Sequence, residues 1–353
     1  MNRWIALLAA TGVLGTACTS TPAAEPTTSP TSTPSTTSSP SPGPTTAATE
    51  PTDTQLRDLG VNELGRVFVS EWHEIQDTDA TYKTSMDTFR QQLEDLYNRD
   101  YRPISAQEFI DGTFSIPAGT SPVLLTFDDS YMEHLFFDED GNPDPDSVVG
   151  ILEEMERADP TWRARAVFAW FWPYPFRLTE PDRIAQAFTY LIDKGFDISN
   201  HSLEHESLRD MSAAQVRENL ATTEKRVADL LGRDHVEVST LTLPFGMWPQ
   251  DREAVISGEF DGYAYEHHLV FEVGWMPTRS PHHVDYDPHS ILRVAAHEPW
   301  GEDGDWWDWL DWMDEEPGRR FISDGDPTTV TYPSDWAEFA SPRDGQDVRT
   351  YTP

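Results

Sequence analysis

The chain has 353 residues, of which 37% are hydrophobic and 12% aromatic, and this is enough apolar material for a sizeable core. The composition excludes a collagen, a coiled coil, a multispan membrane protein and a chain that is disordered throughout. Its 62 acidic and 25 basic side chains give a formal charge of −37. Because a strongly negative field repels phosphate, the composition predicts a neutral or cationic partner and no binding to nucleic acid.

Residues 1–18 have the pattern of an export signal. They begin with Arg3, continue through an apolar run at 4–14 that is too short to span a bilayer, and end with small residues and Cys18. Cys18 is the only cysteine, so an internal disulfide is excluded, and lipidation after cleavage is the most economical use of its thiol. The segment resembles a bacterial lipoprotein signal. It predicts a secreted protein that is anchored by lipid to the extracellular face of the cell membrane. Ordinary signal-peptidase cleavage is the alternative.

Residues 19–58 are predicted to be a disordered tether. The segment is dominated by Thr, Ser, Pro and Ala, which cannot bury a core. The predicted folded domain therefore extends over residues 59–353.

Short apolar runs alternate with helical patterns through this domain. The predicted strands are 66–70, 122–127, 166–171, 196–199, 238–243 and 291–295. The predicted helices are one with Phe89, Leu93, Leu96 and Tyr97 on one face, one that ends at Gly195, one that opens at Ser212 and ends at Gly232, and one with Trp306, Leu310 and Met313 in line. This alternation predicts a βα barrel or a doubly wound sheet.

Three segments place polar side chains directly after predicted strands, where βα barrels build their active sites. They are Thr-Phe-Asp-Asp at 126–129, Asn-His-Ser-Leu-Glu-His at 200–205 and Leu-Pro-Phe-Gly at 243–246. Histidines four positions apart lie on one helical face or along one tight loop, so both can reach a single ion. With a carboxylate of the Asp pair they would form a three-ligand set that leaves a position open for water.

The adjacent aspartates Asp128 and Asp129 support the same interpretation. Burying a carboxylate costs roughly several kcal/mol unless a cation compensates its charge. A metal ion would resolve this conflict, because one carboxylate can ligate the ion while the other takes a proton from water.

The three motifs, in this order, resemble the polysaccharide deacetylase family, which is also called the NodB-homology or carbohydrate esterase 4 family. The resemblance extends over roughly residues 66–300. It implies a distorted (β/α)7 barrel and metal-dependent removal of acetyl groups from a glycan. Transferred residue by residue, it implies Asp128 as the general base and a metal site of Asp129, His201 and His205. It also implies substrate binding at Pro244 and Phe245, with the backbone N–H near Phe245 holding the oxyanion.

Two positions depart from the family pattern. Ser130 follows the Asp pair where the family usually has Gly, and Thr242 stands where the third motif normally begins with Arg. The arginine that would orient Asp128 is therefore missing from its usual position. Arg293, on the last predicted strand, is a candidate to replace it.

The catalytic acid has two candidates. The general family places a late histidine in a Leu-x-His motif, and the nearest match here is His297 in Ala-Ala-His-Glu at 295–298. The poly-N-acetylglucosamine deacetylase branch instead uses an early histidine. This chain is similar to that branch in its Trp-His-Glu-Ile at 72–75 and Tyr-Arg-Pro-Ile at 101–104. We therefore favour His73 over His297.

The sequence thus predicts a metal-dependent hydrolase that removes acetyl groups from an N-acetylglucosamine-containing polysaccharide of the cell envelope or the extracellular space. Zn2+ is the favoured ion, although the same ligands suit other divalent metals. The alternatives are an acetyl-xylan-type O-deacetylase and a catalytically inactive glycan-binding lipoprotein. An iron oxygenase with the same ligand types is a more distant alternative. The protein is expected to be a monomer.

Overall fold

The computed structural model of the chain describes residues 51–274, 276–297 and 304–353. The predicted export signal, Cys18 and residues 19–50 of the predicted tether lie outside the described residues. Among the helices that are described, none combines the length and the apolar character needed to cross a membrane.

The described residues form fifteen strands and eight α-helices. The strands are β1 (Arg66–Trp72), β2 (Glu74–Gln76), β3 (Lys83–Ser85), β4 (Tyr101–Pro103), β5 (Ser121–Phe127), β6 (Val167–Trp170), β7 (Asp197–Asn200), β8 (Thr240–Thr242), β9 (Ser257–Phe260), β10 (Tyr263–Glu266), β11 (Leu269–Phe271), β12 (Thr278–Arg279), β13 (Val294–Ala295), β14 (Thr329–Pro333) and β15 (Asp347–Tyr351). The helices are α1 (Asp53–Leu59), α2 (Met86–Asn98), α3 (Ala106–Asp111), α4 (Val148–Ala158), α5 (Pro181–Lys194), α6 (Ala213–Leu231), α7 (Glu253–Ile256) and α8 (Trp306–Asp314).

The largest sheet contains the strands that the apolar runs predict. Its order is β11, β8, β7, β6, β5, β1 and β12. All of these neighbours are parallel except β1 and β12, which are antiparallel. Strand β4 lies parallel beside the start of β5. Every residue of β5 is buried, as expected for a central parallel strand that is covered on both faces.

Residues 291–295 bring the two ends of the curved sheet together. Ile291 forms a parallel bridge with Phe271 of β11, and β13 pairs in parallel with the end of β1. The expected distorted (β/α)7 barrel is therefore confirmed. Its last predicted strand is reduced to two paired residues, and the predicted strand at 238–243 is reduced to Thr240–Thr242.

The residues of β1 alternate between the two faces of the sheet. Phe68 and Trp72 belong to the large apolar cluster under the helices, whereas Val67 and Val69 belong to a second cluster on the opposite face. With a period of two, Glu71 shares the face of Val67 and Val69. A carboxylate is thus placed on the inner face of the barrel near its carboxyl edge.

Helix ends follow the local signals in the sequence. Helix α6 opens with a capping box between Ser212 and Gln215 and ends at Gly232 in the left-handed conformation. Helix α5 ends in the same way at Gly195. Both predicted ends are confirmed.

The tryptophan-rich run forms α8. Its Trp306, Leu310 and Met313 are buried and belong to the large apolar cluster, so the line of side chains that the sequence predicts is a packing face.

The folded domain begins before residue 59, which corrects the predicted boundary of the tether. Residues 53–58 lie in α1, whose N-cap Thr52 forms a capping box with Gln55. Leu56 in this helix is fully buried in a cluster with Val61 and Tyr351. The prediction of disorder is wrong for these residues because composition cannot reveal a packing partner at the other end of the chain.

Candidate active site

The side chains singled out in the sequence meet at the carboxyl edge of the barrel. Asp128 and Asp129 follow β5, His201 follows β7, and His73 follows β1. Together with His205 they line one cleft of about 420 Å³. Other side chains that line this cleft are Glu71, Tyr82, Tyr131, Leu243, Phe245, Met247 and Val273. The volume lies in the usual range of small-molecule sites.

Asp129, His201 and His205 have the geometry of a metal-ligand set. Asp129 Oδ1 lies 3.4 Å from His201 Nε2 and 3.3 Å from His205 Nε2. Ligands at 2.0–2.2 Å from a tetrahedral centre are separated by roughly 3.3–3.6 Å, so the two separations fit a single ion without rearrangement. One ligand atom from each of the three residues lies within 4.8 Å of the others. The donor set of two imidazoles and one carboxylate therefore fits a divalent cation.

The orientation of His201 is fixed by the backbone of β8. His201 Nδ1 lies 2.8 Å from the carbonyl oxygen of Thr242, to which it donates when Nε2 is the ligand. His205 lies in a loop and not on a helix, so the tight-loop alternative for the i, i+4 pair is the correct one. The bond from His201 to a carbonyl therefore leaves Nε2 directed toward Asp129.

The charges of the two aspartates set the electrostatics of this cluster. Burial lowers the pKa of His201, but the interaction with Asp129 and the charge of Asp128 raise it more, so the net shift is upward. Burial and the neighbouring His201 lower the pKa of His205 to about 4. Burial raises the pKa of Asp129, but the neighbouring imidazoles lower it more, so that it lies well below its usual value. The cluster therefore favours positive charge at its centre while keeping His205 neutral, as a metal ligand must be.

Asp128 is held as a buried carboxylate by Arg293. Arg293 Nη1 donates to Asp128 Oδ1 at 2.8 Å, and Nη2 donates to Oδ2 at 2.8 Å. Burial raises the pKa of Asp128, but the charge and hydrogen bonds of Arg293 lower it further, and the net shift is downward. The side chain is therefore ionised and fixed in orientation, which a general base requires.

Arg293 is fully buried and its donors are all engaged. Besides the two bonds to Asp128, Nη1 donates to Thr126 Oγ1 at 3.0 Å and Nε donates to the carbonyl of Glu272 at 2.7 Å. Nη2 also lies 3.3 Å from Glu71 Oε2. Arg293 thus occupies the place beside Asp128 that the family pattern assigns to an arginine at position 242.

Close packing after β11 fixes the backbone of Arg293. A Cβ atom at Gly274 would lie 1.7 Å from the carbonyl oxygen of Arg293, so this approach requires glycine. The Gly274 N–H donates to Glu71 Oε2 at 3.1 Å. Gly274 therefore contacts both the backbone of Arg293 and the carboxylate of Glu71.

Thr242 contributes in a different way from an arginine. Its side chain is buried, and its Oγ1 lies 2.9 Å from Ser199 Oγ. Its carbonyl is the acceptor for His201. The position is thus a structural support for a metal-ligand candidate, and its side chain does not reach Asp128.

The two acid candidates lie side by side, at different depths. His73 lines the cleft, and its Nε2 lies 3.9 Å from Asp128 Oδ2 and 3.8 Å from Glu71 Oε1. The His297 ring is 5.7 Å from the His73 ring and is 5% exposed. His73 therefore faces the reacting groups, while His297 packs behind it.

Glu71 is a functional candidate that the sequence analysis missed. It is fully buried and lies between Arg293 and His73. Burial raises its pKa, and the charge of Asp128 adds to the rise, whereas Arg293 and His73 oppose it. The available signal was a single acidic residue on the inward face of a mostly apolar strand, two positions before His73.

Several site residues adopt the left-handed backbone conformation, which is uncommon for side chains with a Cβ atom. They are Asp129, Ser130, Ser202, His205 and Phe245. The φ of Ser130 is +43°, which explains why glycine is usual at this position in the family pattern. The site thus concentrates backbone strain of about 1–3 kcal/mol for each such residue.

The turn after β8 forms one wall of the cleft. Pro244 is buried, whereas Phe245 is 55% exposed and its ring lies 4.6 Å from the His205 ring. The amides of Gly246 and Met247 donate to carbonyls within the turn. The turn therefore brings the Phe245 backbone, the predicted oxyanion donor, next to the candidate metal ligands.

A family model described as polysaccharide deacetylase matches residues 116–258. The match contains the Asp128–Asp129 pair, His201, His205 and the turn at 244–246, whereas His73 and Arg293 lie outside it. No curated protein matches the chain.

Solved structures to which this chain is similar include the deacetylase PplD from Streptococcus pyogenes in complex with acetate. Its sequence identity is 14%, the alignment covers 66% of this chain and 93% of that chain, and the TM-score is 0.48. A putative polysaccharide deacetylase from Bacillus anthracis has 16% identity, 66% coverage of each chain and a TM-score of 0.45. IcaB from Ammonifex degensii has 17% identity, coverage of 65% of this chain and 91% of that chain, and a TM-score of 0.43.

Proposed function

We propose that the chain is a hydrolytic deacetylase that removes acetyl groups from an N-acetylglucosamine-containing polysaccharide in a metal-dependent reaction. The match of residues 116–258 to a family model described as polysaccharide deacetylase supports this proposal. One observation carries this proposal. Asp129, His201 and His205 converge within 4.8 Å, beside an Asp128 that Arg293 holds ionised.

The ligand set favours zinc. Two imidazole nitrogens and one carboxylate oxygen are typical of catalytic Zn2+ sites, although other divalent ions accept the same ligands. An ion held there would supply a Lewis acid that polarises the acetyl carbonyl and activates water.

The side chains of this chain would then carry the proton transfers. Asp128 accepts a proton from the attacking water as the bond to the acetyl carbon forms. The negative charge that develops on the carbonyl oxygen is met by the Phe245 N–H. When the C–N bond breaks, His73 donates its proton to the departing amine. Acetate and a free amino sugar are the products.

His73 is proposed as the acid because of its position. Its Nε2 lies 3.9 Å from Asp128 Oδ2, and its ring lines the cleft. The His134 ring Nε2 lies 2.7 Å from the carbonyl oxygen of His73, and this contact holds the backbone of His73 in place. His297 lies behind His73 and is not assigned a proton transfer.

We also propose that the domain works outside the cell, on cell-envelope or extracellular glycan, while anchored to the membrane by lipid at Cys18. This part rests on the sequence of residues 1–50, in which an export signal with a terminal cysteine precedes a Thr/Ser/Pro-rich segment. Growth with a labelled fatty acid should label the parent protein and leave Cys18→Ser unlabelled. A parent protein that carries no label would contradict the lipid anchor.

The enzymatic proposal is tested with two variants and their controls. Asp128→Asn should abolish acetate release from chitooligosaccharides while the purified protein keeps its bound metal. His201→Ala should lose both metal and activity. Asp146→Asn and His268→Ala change exposed side chains of the same types, and they should leave metal content and turnover unchanged.

The outcomes separate the alternatives. Acetate release from acetylated xylan and none from chitooligosaccharides would identify an O-deacetylase. Binding of chitooligosaccharides without acetate release would identify an inactive glycan-binding protein. An Asp128→Asn variant with normal turnover would overturn the assignment of the base.

A further inference from the structure

Tyr82 lies at the rim of the cleft, in a segment inserted between β1 and α2. It is the last residue of the turn that joins β2 to β3, and it is 44% exposed. Its ring lies 5.0 Å from the His73 ring and 5.2 Å from the His297 ring. Tyr82 is therefore next to the proposed acid, on the side from which the amine would leave.

The turn holds Tyr82 in one position. Asp79 accepts the Ser85 N–H at 2.6 Å and also accepts hydrogen bonds from the hydroxyls of Ser85 and Thr88. Ala80 and Lys83 exchange backbone hydrogen bonds at 3.1 and 2.9 Å. These contacts connect the turn to the start of α2, so an exposed ring is held over the cleft by a rigid support.

The backbone of Tyr82 is strained. Its φ is +61°, a left-handed conformation that costs about 1–3 kcal/mol for a bulky residue. The side chain does not recover this energy by complete burial, because almost half of the residue is exposed. Backbone conformations of this kind persist where the surrounding structure determines them, and they are concentrated at active sites and ligand-binding sites.

Phe245 forms a second exposed aromatic wall of the same cleft. It contacts the His205 ring, on the metal side, whereas Tyr82 contacts the His73 ring. Burial and the charges of Glu71 and Asp129 raise the pKa of Tyr82, so its phenol stays neutral and keeps a proton to donate to a hydroxyl. The two aromatic side chains thus flank the groups that would react.

We propose that Tyr82 contacts substrate, with its ring against the apolar C–H face of the pyranose that carries the leaving amine. The inference rests on the proposed function, and it adds a residue that selects for a sugar ring on the amine side of the scissile bond. A rigid aromatic ring offers a large apolar area at low cost in conformational entropy, while its hydroxyl remains compatible with a polar ligand. A substrate without a ring on that side would gain nothing from this contact.

The test compares Tyr82→Phe, Tyr82→Leu and the control Tyr174→Leu on two substrates. Tyr174 is also exposed, at 52%, and does not line the cleft. The substrates are an N-acetylated chitooligosaccharide and ethyl acetate, which has an acetyl group and no sugar. Binding of the same oligosaccharide to each variant is also measured by calorimetry in an Asp128→Asn background, so one readout does not depend on turnover.

Tyr82→Leu should lower kcat/KM for the chitooligosaccharide about 5- to 20-fold, mainly through KM, and should weaken binding by a similar factor, as expected for loss of one aromatic contact. Its turnover of ethyl acetate should stay within about twofold of the parent protein, and Tyr82→Phe should retain most of both activities. Tyr174→Leu should change neither.

Two results would overturn the proposal: parental kcat/KM and affinity for the oligosaccharide in Tyr82→Leu, or an equal loss on both substrates. An equal loss would mean that Tyr82 only supports His73. Acetate release from the chitooligosaccharide by the parent protein would leave the proposed function standing in both cases. The failure of the Tyr82 proposal is therefore distinguishable from failure of the proposed function.

Discussion

Arg293 and Asp128 form a buried two-point ion pair, with both hydrogen bonds at 2.8 Å. The residues are 165 positions apart in the chain. Asp128 directly follows β5, and Arg293 directly precedes β13. Because the guanidinium is planar and its donors are fixed, the pair defines the direction of both carboxylate oxygens.

Arg293→Met should destabilise the protein and reduce turnover. Removing one partner of a buried ion pair costs about 3–5 kcal/mol, because the other charge is left uncompensated. In a double-mutant cycle with Asp128→Asn, measured by urea unfolding, the double variant should lose at least about 1 kcal/mol less than the sum of the single variants. Arg233→Met, at an exposed position, is the control. Additive losses would show that the two side chains do not stabilise each other.

Glu71→Gln should reduce kcat about tenfold or more with little change in KM. Gln retains an acceptor for the Gly274 N–H but removes the negative charge next to Arg293 and His73. The change removes a charged partner that positions Arg293 and His73 beside Asp128, so its effect should fall on the chemical step.

Glu74→Gln is the matched control for this prediction, because Glu74 lies on β2 and pairs with Lys83 outside the ion-pair network of Arg293. If the melting temperature of Glu71→Gln is close to that of the parent protein, the loss of kcat is an effect on chemistry and not on folding. Unchanged kcat in Glu71→Gln would exclude this positioning role.

His282 should make the protein less stable in mild acid. Burial, with a smaller contribution from the charge of Arg343, lowers its pKa to about 4, against about 6.5 in an unfolded chain. Between these values the unfolded state binds the extra proton, so the free energy of unfolding falls as pH decreases from about 6.5 to 4, by up to about 3 kcal/mol.

In His282→Gln this part of the pH dependence should disappear, because Gln can donate to the Gly112 carbonyl without titrating. Urea unfolding at pH 8 and pH 5 measures the difference, and the exposed His268→Gln is the control. The same decrease in the His282→Gln variant as in the parent would contradict the assignment.

Leu56→Ala should lower the free energy of unfolding by about 2–4 kcal/mol, the usual cost of emptying a buried leucine site. Leu56 is fully buried with Val61 and Tyr351, whereas Leu59 in the same helix is 40% exposed. Leu59→Ala should therefore change stability by less than about 0.5 kcal/mol. Equal effects of the two substitutions would mean that α1 belongs to the tether, as its composition suggests.

Some of the missed elements were readable in the sequence. The hairpin of β9 and β10 turns at Asp261 and Gly262, both with positive φ, and Asp-Gly between apolar residues is a known hairpin signal. Strands β14 and β15 were not readable in this way, because their five-residue runs have no distinctive period.

The sequence by itself determined the alternation of parallel strands with helices and the residue types of the candidate site. Buried parallel strands need continuous apolar runs, helix ends need caps such as Ser212 and Gly232, and polar motifs directly after strands must meet at one edge of the sheet. These constraints are local, because each apolar run, helix cap or motif can be recognised from a few consecutive residues.

Only the tertiary structure decided which arginine holds Asp128, which histidine faces the cleft, and that Glu71 lies between them. Each of these relationships joins side chains from different strands, and its energy depends on distances of a few ångströms and on the exclusion of water. Sequence spacing contains neither quantity. For the same reason Leu56 looked like part of a tether until its contact with Tyr351 placed it in the fold.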